Sequence, residues 1–397
     1  MGDSHPHSPT DPLDFLRLDS RLTPAQRALR DQVRRWTEAR VLPAINDYWE
    51  RAEFPREIAL ALRELPIIGG ILQGNGCAGL DMLELGLVVQ ELARADGSIT
   101  TFYAVHSGLA MGSIGLLGSP EQQQRWLPHM ARLEKIGAFG LTEPEQGSDA
   151  AHVQTRAHRD GDTYRLNGAK RWIGNAAIAD LLIIWARDEN GRFGGFVVED
   201  PTHTPGLHIQ NLSGKVTKRA VLNAHITLTD VRVPLTNRLE HAQSFRDVAR
   251  VLARGRYVVA WEALGAAAAA YEIALRYAQT RQQFGKPLAA FQLTQRKLVE
   301  MATELNLMQL LCLHLAELMQ SGEANDAMIA MTKYNNAAKA RTIISLAREI
   351  MGGNGLLIDH HIARLWTDAE AMYTYEGTNE INLLIIGREL TGLNAFV

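Results

Sequence analysis

Along this chain the spacing of apolar residues changes twice, from a helical period of three to four, to a period of two, and back again. Thr23 followed by Pro24 supplies an N-cap and a first-turn proline, and Leu29, Val33 and Trp36 recur behind them, so a helix is predicted to start there. Further helices are predicted over 56–65, 82–95 and 121–133, separated by glycine-rich breaks such as 69–79. After about Gly137 the period shortens. Tyr164 and Leu166 alternate with polar residues up to Asn167-Gly168, a dipeptide that signals a hairpin turn ahead of 171–173. Short β-type runs follow at 181–186, 194–198, 224–228 and 231–233, and Pro234 closes them. From 244 to 280 and from 287 to 320 the residues are rich in Ala, Leu, Met and Glu at helical period, predicting two long antiparallel helices. A third runs from 326 to about 351 and stops at Gly352-Gly353. This order predicts a mostly helical α+β chain: an arm over 1–14, an N-terminal helical domain over 15–136, a middle β-barrel-like domain over 137–243, and a C-terminal four-helix bundle over 244–397.

Composition narrows the classes. A length of 397 residues, 46% apolar and 21% charged, is that of an enzyme-sized globular protein with a substantial core. Lys and Arg number 41 against 44 Asp and Glu, for a net charge of −3, which gives no general attraction to nucleic acid or to an anionic membrane. Cys77 and Cys312 are the two cysteines and form no CxxC, so neither a disulfide framework nor a thiolate metal site is expected, and a cytoplasmic location fits. The longest apolar stretches, 181–186 and 263–271, fall short of the roughly 20 residues that span a bilayer, so no membrane span is expected. The opening residues lack the features of a signal or transit peptide. His360 and His361 are adjacent, point apart on a helix and have no third ligand at useful spacing, so no metal is expected.

Three dense clusters carry the chemistry: GLTEPEQGSD (140–149), EIMGGNGLLID (349–359) and TYEGTNEI (374–381). In the last, Glu376 is followed by a glycine and lies at the mouth of a helix beginning near Thr378, an arrangement that presents a carboxylate to a cavity. A glutamate beside a turn is otherwise a capping or solvated group. A loop of small residues such as 140–149 lets backbone N–H groups and hydroxyls approach a polar ring edge or a pyrophosphate, although by itself it also reads as a surface turn. GGNG alone reads as a helix stop and is not a dinucleotide fingerprint.

With KRWIGN (170–175), ARGRYVVAW (253–261), TRQQFGKPL (280–288) and GRELTG (387–392), these clusters make the chain resemble the acyl-CoA dehydrogenase family from about Phe15 to Phe396, and most of all its glutaryl-CoA dehydrogenase branch. The resemblance implies FAD and an acyl-CoA substrate, with Glu376 taking the α-proton of the thioester while the β-hydrogen leaves as hydride to flavin N5. It also implies that the backbone N–H of Glu376 and a ribityl hydroxyl stabilise the charge on the thioester oxygen. Excluding water should raise the carboxyl pKa to about 6 to 7, where such bases work. Thr142 and Ser148 are implied flavin contacts, Ser148 also touching substrate, and Trp172 would pack on the flavin ring. Gly174 stands where most relatives have a threonine bonding near N5, a departure that bears on the electron acceptor. Arg281 and Phe284 match residues that reach the FAD of a neighbouring subunit, as do Glu349 and Gly353, so a dimer or tetramer is implied. Thr378 and Glu380 would face the cofactor, Glu380 through a ribose hydroxyl. Arg256 and Tyr375 would wall the substrate site. Gly255 occupies a position where some members carry a second possible base.

The branch has an arginine that clamps a distal carboxylate, and by spacing Thr100 stands there. A hydroxyl cannot replace a bidentate cation, so the expected acyl chain is short or branched and uncharged at its end, lined by Thr100, Thr101 and Phe102. An electron-transferring flavoprotein is the expected acceptor. The competing readings are a short-chain acyl-CoA oxidase using oxygen, a glutaryl-CoA dehydrogenase and a non-catalytic flavin-binding scaffold; a flavin-dependent hydroxylase would have no use for the base.

Overall fold

The computed structural model describes residues 11–396. The expected arm falls mostly on residues 1–10, outside the described residues; residues 11–14 form a turn in which Asp14 accepts hydrogen bonds from the N–H groups of Leu18 and Asp19.

Capping starts the helices where the side chains allow it. Thr23 and Gln26 exchange capping-box hydrogen bonds at the head of α1 (Pro24–Arg40). After α2 (Ile45–Arg51) and α3 (Arg56–Ala61), Asp81 and Glu84 do the same for α4 (Met82–Ala95), whose bounds match the predicted 82–95. Asp96 ends α4 and caps α5 (Gly97–Tyr103), which passes through a π-helical turn, Ala104–Ala110, into α6 (Met111–Leu117). The following helix, α7 (Pro120–Ala131), begins one residue before its predicted start because Ser119 caps it, and ends before Leu133, which adopts φ 53.

The middle layer is one curled sheet of β1 (Gly137–Gly140), β2 (Arg156–Asp160), β3 (Thr163–Gly174), β4 (Leu181–Asp188), β5 (Phe193–Glu199), β6 (Leu207–Asn211) and β7 (Asn223–Pro234). Its order is β1-β4-β2-β3-β7-β6, with β5 on β4. Asn167-Gly168 is not a hairpin turn. β3 runs straight through it, and the turn lies at Gly161-Asp162, where Asp160 pairs with Thr163. Gly168 instead makes a bulge at φ 148, where a Cβ would stand 2.8 Å from the Cα of Thr155. Asn167 spends its amide on Asp230 of the neighbouring β7 (3.0 Å). The two runs predicted at 224–228 and 231–233 are likewise one strand.

The last layer holds α8 (Phe245–Thr280), a small hairpin of β8 (Gln282–Gln283) and β9 (Lys286–Pro287), then α9 (Gln292–Ser321), α10 (Asp326–Ile350), α11 (Ile362–Thr374) and α12 (Asn379–Thr391). The hairpin delays α9 by five residues relative to the predicted start at 287. His360 closes a 3-10 turn and His361 is the left-handed N-cap of α11, so the pair is not on a helix; no metal-binding cluster occurs among the described residues. Against the expectation that no segment is apolar enough to span a bilayer, α8 contains an 18-residue window of mean hydropathy 1.4. It is a core helix, with 83% of that window buried inside the protein.

One apolar core runs through both helical layers and reaches into the sheet at Phe139, Trp185 and Phe193, and a second lies within the sheet around Leu166, Ile184, Phe196 and Ile226. Each fully buried large apolar side chain contributes about 1.5–3 kcal/mol, so continuity of the first core holds the three layers together.

Candidate active site

Glu376 sits in the short link between α11 and α12, in left-handed backbone (φ 54) next to Gly377 (φ 77). Non-glycine residues avoid this region, and the link is held in it by side chains from neighbouring helices. Lys333 of α10 donates to the carbonyls of Gly377 (2.9 Å) and Tyr373 (3.3 Å), while Asn382 donates to those of Gly377 (2.8 Å) and Thr378 (2.9 Å). Asn379 is tied to the Tyr334 carbonyl (3.0 Å), and Thr378 caps α12 through Ile381 N–H (3.3 Å).

The residue is half-buried, yet carboxylate oxygen Oε2 is out of contact with solvent and has no hydrogen-bond partner. Burial pushes the carboxyl pKa up to about 7, against the pull of Arg256 and Lys333 and with help from Glu262. Arg256 keeps one guanidinium nitrogen, NH1, buried and unpartnered. Burial also brings Lys333 down to about 8. Space for the carboxylate comes from α8: a Cβ on Gly255 would stand 2.3 Å from Glu376 Oε2 and 2.7 Å from its Cδ. Tyr375, half-buried, turns its hydroxyl the other way, onto Glu262 (2.5 Å).

Thr100 is fully buried and donates to the Asp96 carbonyl (2.8 Å); Phe102 is also fully buried, whereas Thr101 is half-buried and bonds the Gly97 carbonyl (2.8 Å). On the sheet, Thr142 is half-buried and Ser148 exposed, in a loop pinned by a buried ion pair: Glu143 accepts from Lys170 (2.8 Å) and from the N–H of Thr155 (2.9 Å). Trp172, 56% exposed, is held at φ 65, and the N–H of its neighbour Arg171 binds the Thr142 carbonyl (2.8 Å). Gly174 leaves no hole, because a Cβ there would lie 3.2 Å from Val105 Cγ2.

Arg281 ends α8, 25 residues beyond Arg256, which at 1.5 Å per residue is about 37 Å along the helix. Phe284, at φ 52 and 92% exposed, is on the hairpin that follows. Glu349 pairs with Lys297 (2.8 Å) near the end of α10, with exposed Gly353 just past it. Glu380 is exposed in the first turn of α12, where backbone N–H donation and Thr378 hold its carboxyl below the ordinary range. The chain thus gathers Glu376, Tyr375, Arg256 and Thr378 at one place and Thr142, Ser148 and Trp172 on a sheet surface, and sets Arg281, Phe284, Glu349 and Gly353 at distant helix ends. Sequence reasoning missed Lys333, Glu262 and Asn382. Lys333 had a signal, since it falls in line with Ala330, Ala337 and Ala340 on the apolar face of α10.

Trp172, presented to solvent from left-handed backbone beside a loop that offers the hydroxyls of Thr142 and Ser148, suits a flat aromatic cofactor. A helical layer, a curled sheet and a second helical layer around such a surface and a buried carboxylate define a flavoprotein oxidoreductase. The chain belongs to the acyl-CoA dehydrogenase family. Residues 23–134, 138–231 and 245–391 match, in turn, the family's N-terminal, middle and C-terminal domains. It is 34% identical over 378 residues to a probable acyl-CoA dehydrogenase, YngJ, of Bacillus subtilis, covering 94% of this chain and 100% of that one. Among solved structures, a glutaryl-CoA dehydrogenase of Mycobacterium smegmatis in complex with FADH2 superposes with TM-score 0.95 at 37% identity, covering 97% and 99% of the two chains. Butyryl-CoA dehydrogenase of Megasphaera elsdenii gives 0.88 at 32%, covering 93% and 98%. The protein is accordingly an FAD-dependent oxidoreductase acting on CH–CH groups of acyl-CoA thioesters.

Proposed function

We propose that the chain dehydrogenates a short or branched acyl-CoA, uncharged at its acyl end, to the 2-enoyl-CoA, with Glu376 as the base. The observation that carries this is the Glu376 carboxyl itself: buried, unpaired at Oε2, raised to about 7 and given room by Gly255. A base is most useful when its pKa lies near the working pH. Glu376 would take the α-proton, its own N–H would hold the thioester oxygen as negative charge develops, and Arg256 and Lys333 would keep the carboxylate ionised between turnovers. FAD, when bound, accepts the β-hydrogen as hydride; Thr142, Ser148, Trp172, Thr378 and Glu380 are the residues of this chain that would hold it.

Arg281 lies about 37 Å along α8 from Arg256, with Phe284 just beyond on the hairpin, too far to meet the same cofactor within one chain, which supports their serving a second copy in a dimer or tetramer together with Glu349 and Gly353. Val105 fills the space beside Gly174, which favours an electron-transferring flavoprotein over oxygen as acceptor. Anaerobic titration of the FAD-loaded protein with a panel of acyl-CoA thioesters tests the activity: butyryl-CoA or isobutyryl-CoA should bleach the flavin, and a protein that no thioester bleaches refutes it. Peroxide formed stoichiometrically in air would favour the oxidase reading.

A further inference from the structure

Behind Tyr375 lies a buried ionic cluster drawn from all three layers, of which the mechanism above uses only the distant effect of Glu262 on the base. Lys218, from the loop between β6 and β7, reaches across to Glu262 of α8 with its ammonium 2.5 Å from Oε1; both side chains are 5% exposed or less. The second oxygen of Glu262 accepts from the Tyr375 hydroxyl (2.5 Å). Asp368 of α11 accepts from the Lys218 backbone N–H (2.6 Å) and keeps Oδ2 buried with no partner, while Asp96 is neutralised by Arg364 (2.5 Å). Lys215, nearby on the same loop, spends its ammonium on the carbonyls of Lys218 and Val221 and on Asn223.

This is an expensive arrangement. Lys218 is buried and charged and also sits in left-handed backbone at φ 48. An apolar residue there would cost less, because a buried ion pair rarely recovers its desolvation. Its position gives the reason to keep it. A Cβ on Gly97 would stand 2.0 Å from the Lys218 ammonium, so the ammonium lies against the first turn of α5, one turn before Thr100. It is also 6.0 Å from the centre of the Tyr375 ring. A cation therefore stands behind Tyr375 and against the first turn of α5, the two elements expected to close the acyl site, although Thr100 supplies none.

We propose that Lys218 is a masked carboxylate-binding cation and that Glu262, by holding it, determines which acyl ends the enzyme accepts. This inference rests on the acyl-CoA dehydrogenase reading given above. A thioester with a terminal carboxylate would have to take Lys218 from Glu262 and lie against Glu262 as well, whereas a methyl end meets only the tyrosine and threonine in front of the pair. Asp368 and Asp96 also face the ammonium, but Glu262 is the one carboxylate that hydrogen-bonds it, so neutralising Glu262 frees an ammonium proton for an incoming carboxylate.

The test compares pentanoyl-CoA with glutaryl-CoA, five-carbon chains that differ at the far end, by kcat/KM and by anaerobic flavin bleaching. The parent enzyme should prefer pentanoyl-CoA by at least 100-fold. In Glu262→Gln the preference should shrink at least tenfold, and Lys218→Met added to Glu262→Gln should restore it. An unchanged preference in a Glu262→Gln protein that binds FAD and oxidises pentanoyl-CoA overturns the proposal. Should that variant fail to fold, equal kcat/KM for the two thioesters in the parent overturns it equally. No bleaching by either thioester would instead count against the activity itself.

Discussion

Replacing Glu376 by glutamine should abolish turnover and stabilise the fold, for one and the same reason. The carboxyl group titrates near 7 instead of 4.5, first because burial strips it of water, with Arg256 and Lys333 offsetting only part of that loss. Keeping it ionised in the folded protein therefore costs up to about 3 kcal/mol, at roughly 1.4 kcal/mol for each tenfold change in proton affinity. Because the folded carboxyl holds its proton more tightly than the unfolded one, the native state loses stability as pH rises from about 4.5 to about 7, and stays at the lower level above that. Glutamine does not titrate. The stability difference between Glu376→Gln and the parent should be near zero at the acid end, grow through this window and level off above about pH 7. Urea unfolding of both FAD-loaded proteins across that range, followed by tryptophan fluorescence, measures it, and butyryl-CoA bleaching, expected to slow by about 10⁴-fold, reports the lost base. If the variant is no more stable than the parent at alkaline pH, or still bleaches at a comparable rate, the assignment of the strained carboxyl as the base is wrong.

Further outcomes follow from the same geometry. In the parent, kcat/KM should rise with a single-proton slope as pH rises through about 7, and Lys333→Met, which removes a charge favouring the carboxylate, should move that limb to higher pH; a shift to lower pH refutes the electrostatics. Gly255→Ala places a methyl group 2.3 Å from Oε2, so the base must swing away, and a displacement of this size should cost roughly 10²-fold in kcat while FAD content is unchanged; normal turnover would show that the carboxylate works from elsewhere. Glu143→Gln leaves the Lys170 ammonium buried without its carboxylate and should destabilise the protein by about 3–5 kcal/mol in urea unfolding and loosen FAD retention, because the same carboxylate pins the 142–148 loop.

The layer order was legible because each layer has its own apolar period and because caps are local chemistry: Thr23 with Gln26 and Asp81 with Glu84 are readable from four residues. Asn167-Gly168 misled for the complementary reason. The dipeptide favours a turn, but Thr155 packed against Gly168 and Asp230 bonded to Asn167 fix it as a bulge within a long strand, and both partners come from other parts of the sheet. The site divides along the same line. Glu376 stood out through the resemblance carried by the clusters around it, since a glutamate beside Gly377 and Thr378 reads by itself as a capping group. What raises its pKa was not legible, since the room at 255, the ammonium of Lys333 and the carboxylate of Glu262 reach it from α8 and α10.

These contributions pull in opposite directions, and their balance explains why the site tolerates so many unsatisfied groups. Burial alone would leave Glu376 protonated and useless as a base, while a full ion pair with Arg256 or Lys333 would leave a carboxylate too weak to remove an α-proton. Here neither cation lies within 4 Å of it among the described ion pairs: Lys333 is held on the backbone carbonyls of the link, and Arg256 leaves NH1 buried without a partner. Both act through space, enough to hold the carboxyl near neutrality without pairing it. The left-handed backbone at φ 54 holds the link from which this carboxylate is presented. The stability given up at Glu376 is therefore the measure of its basicity.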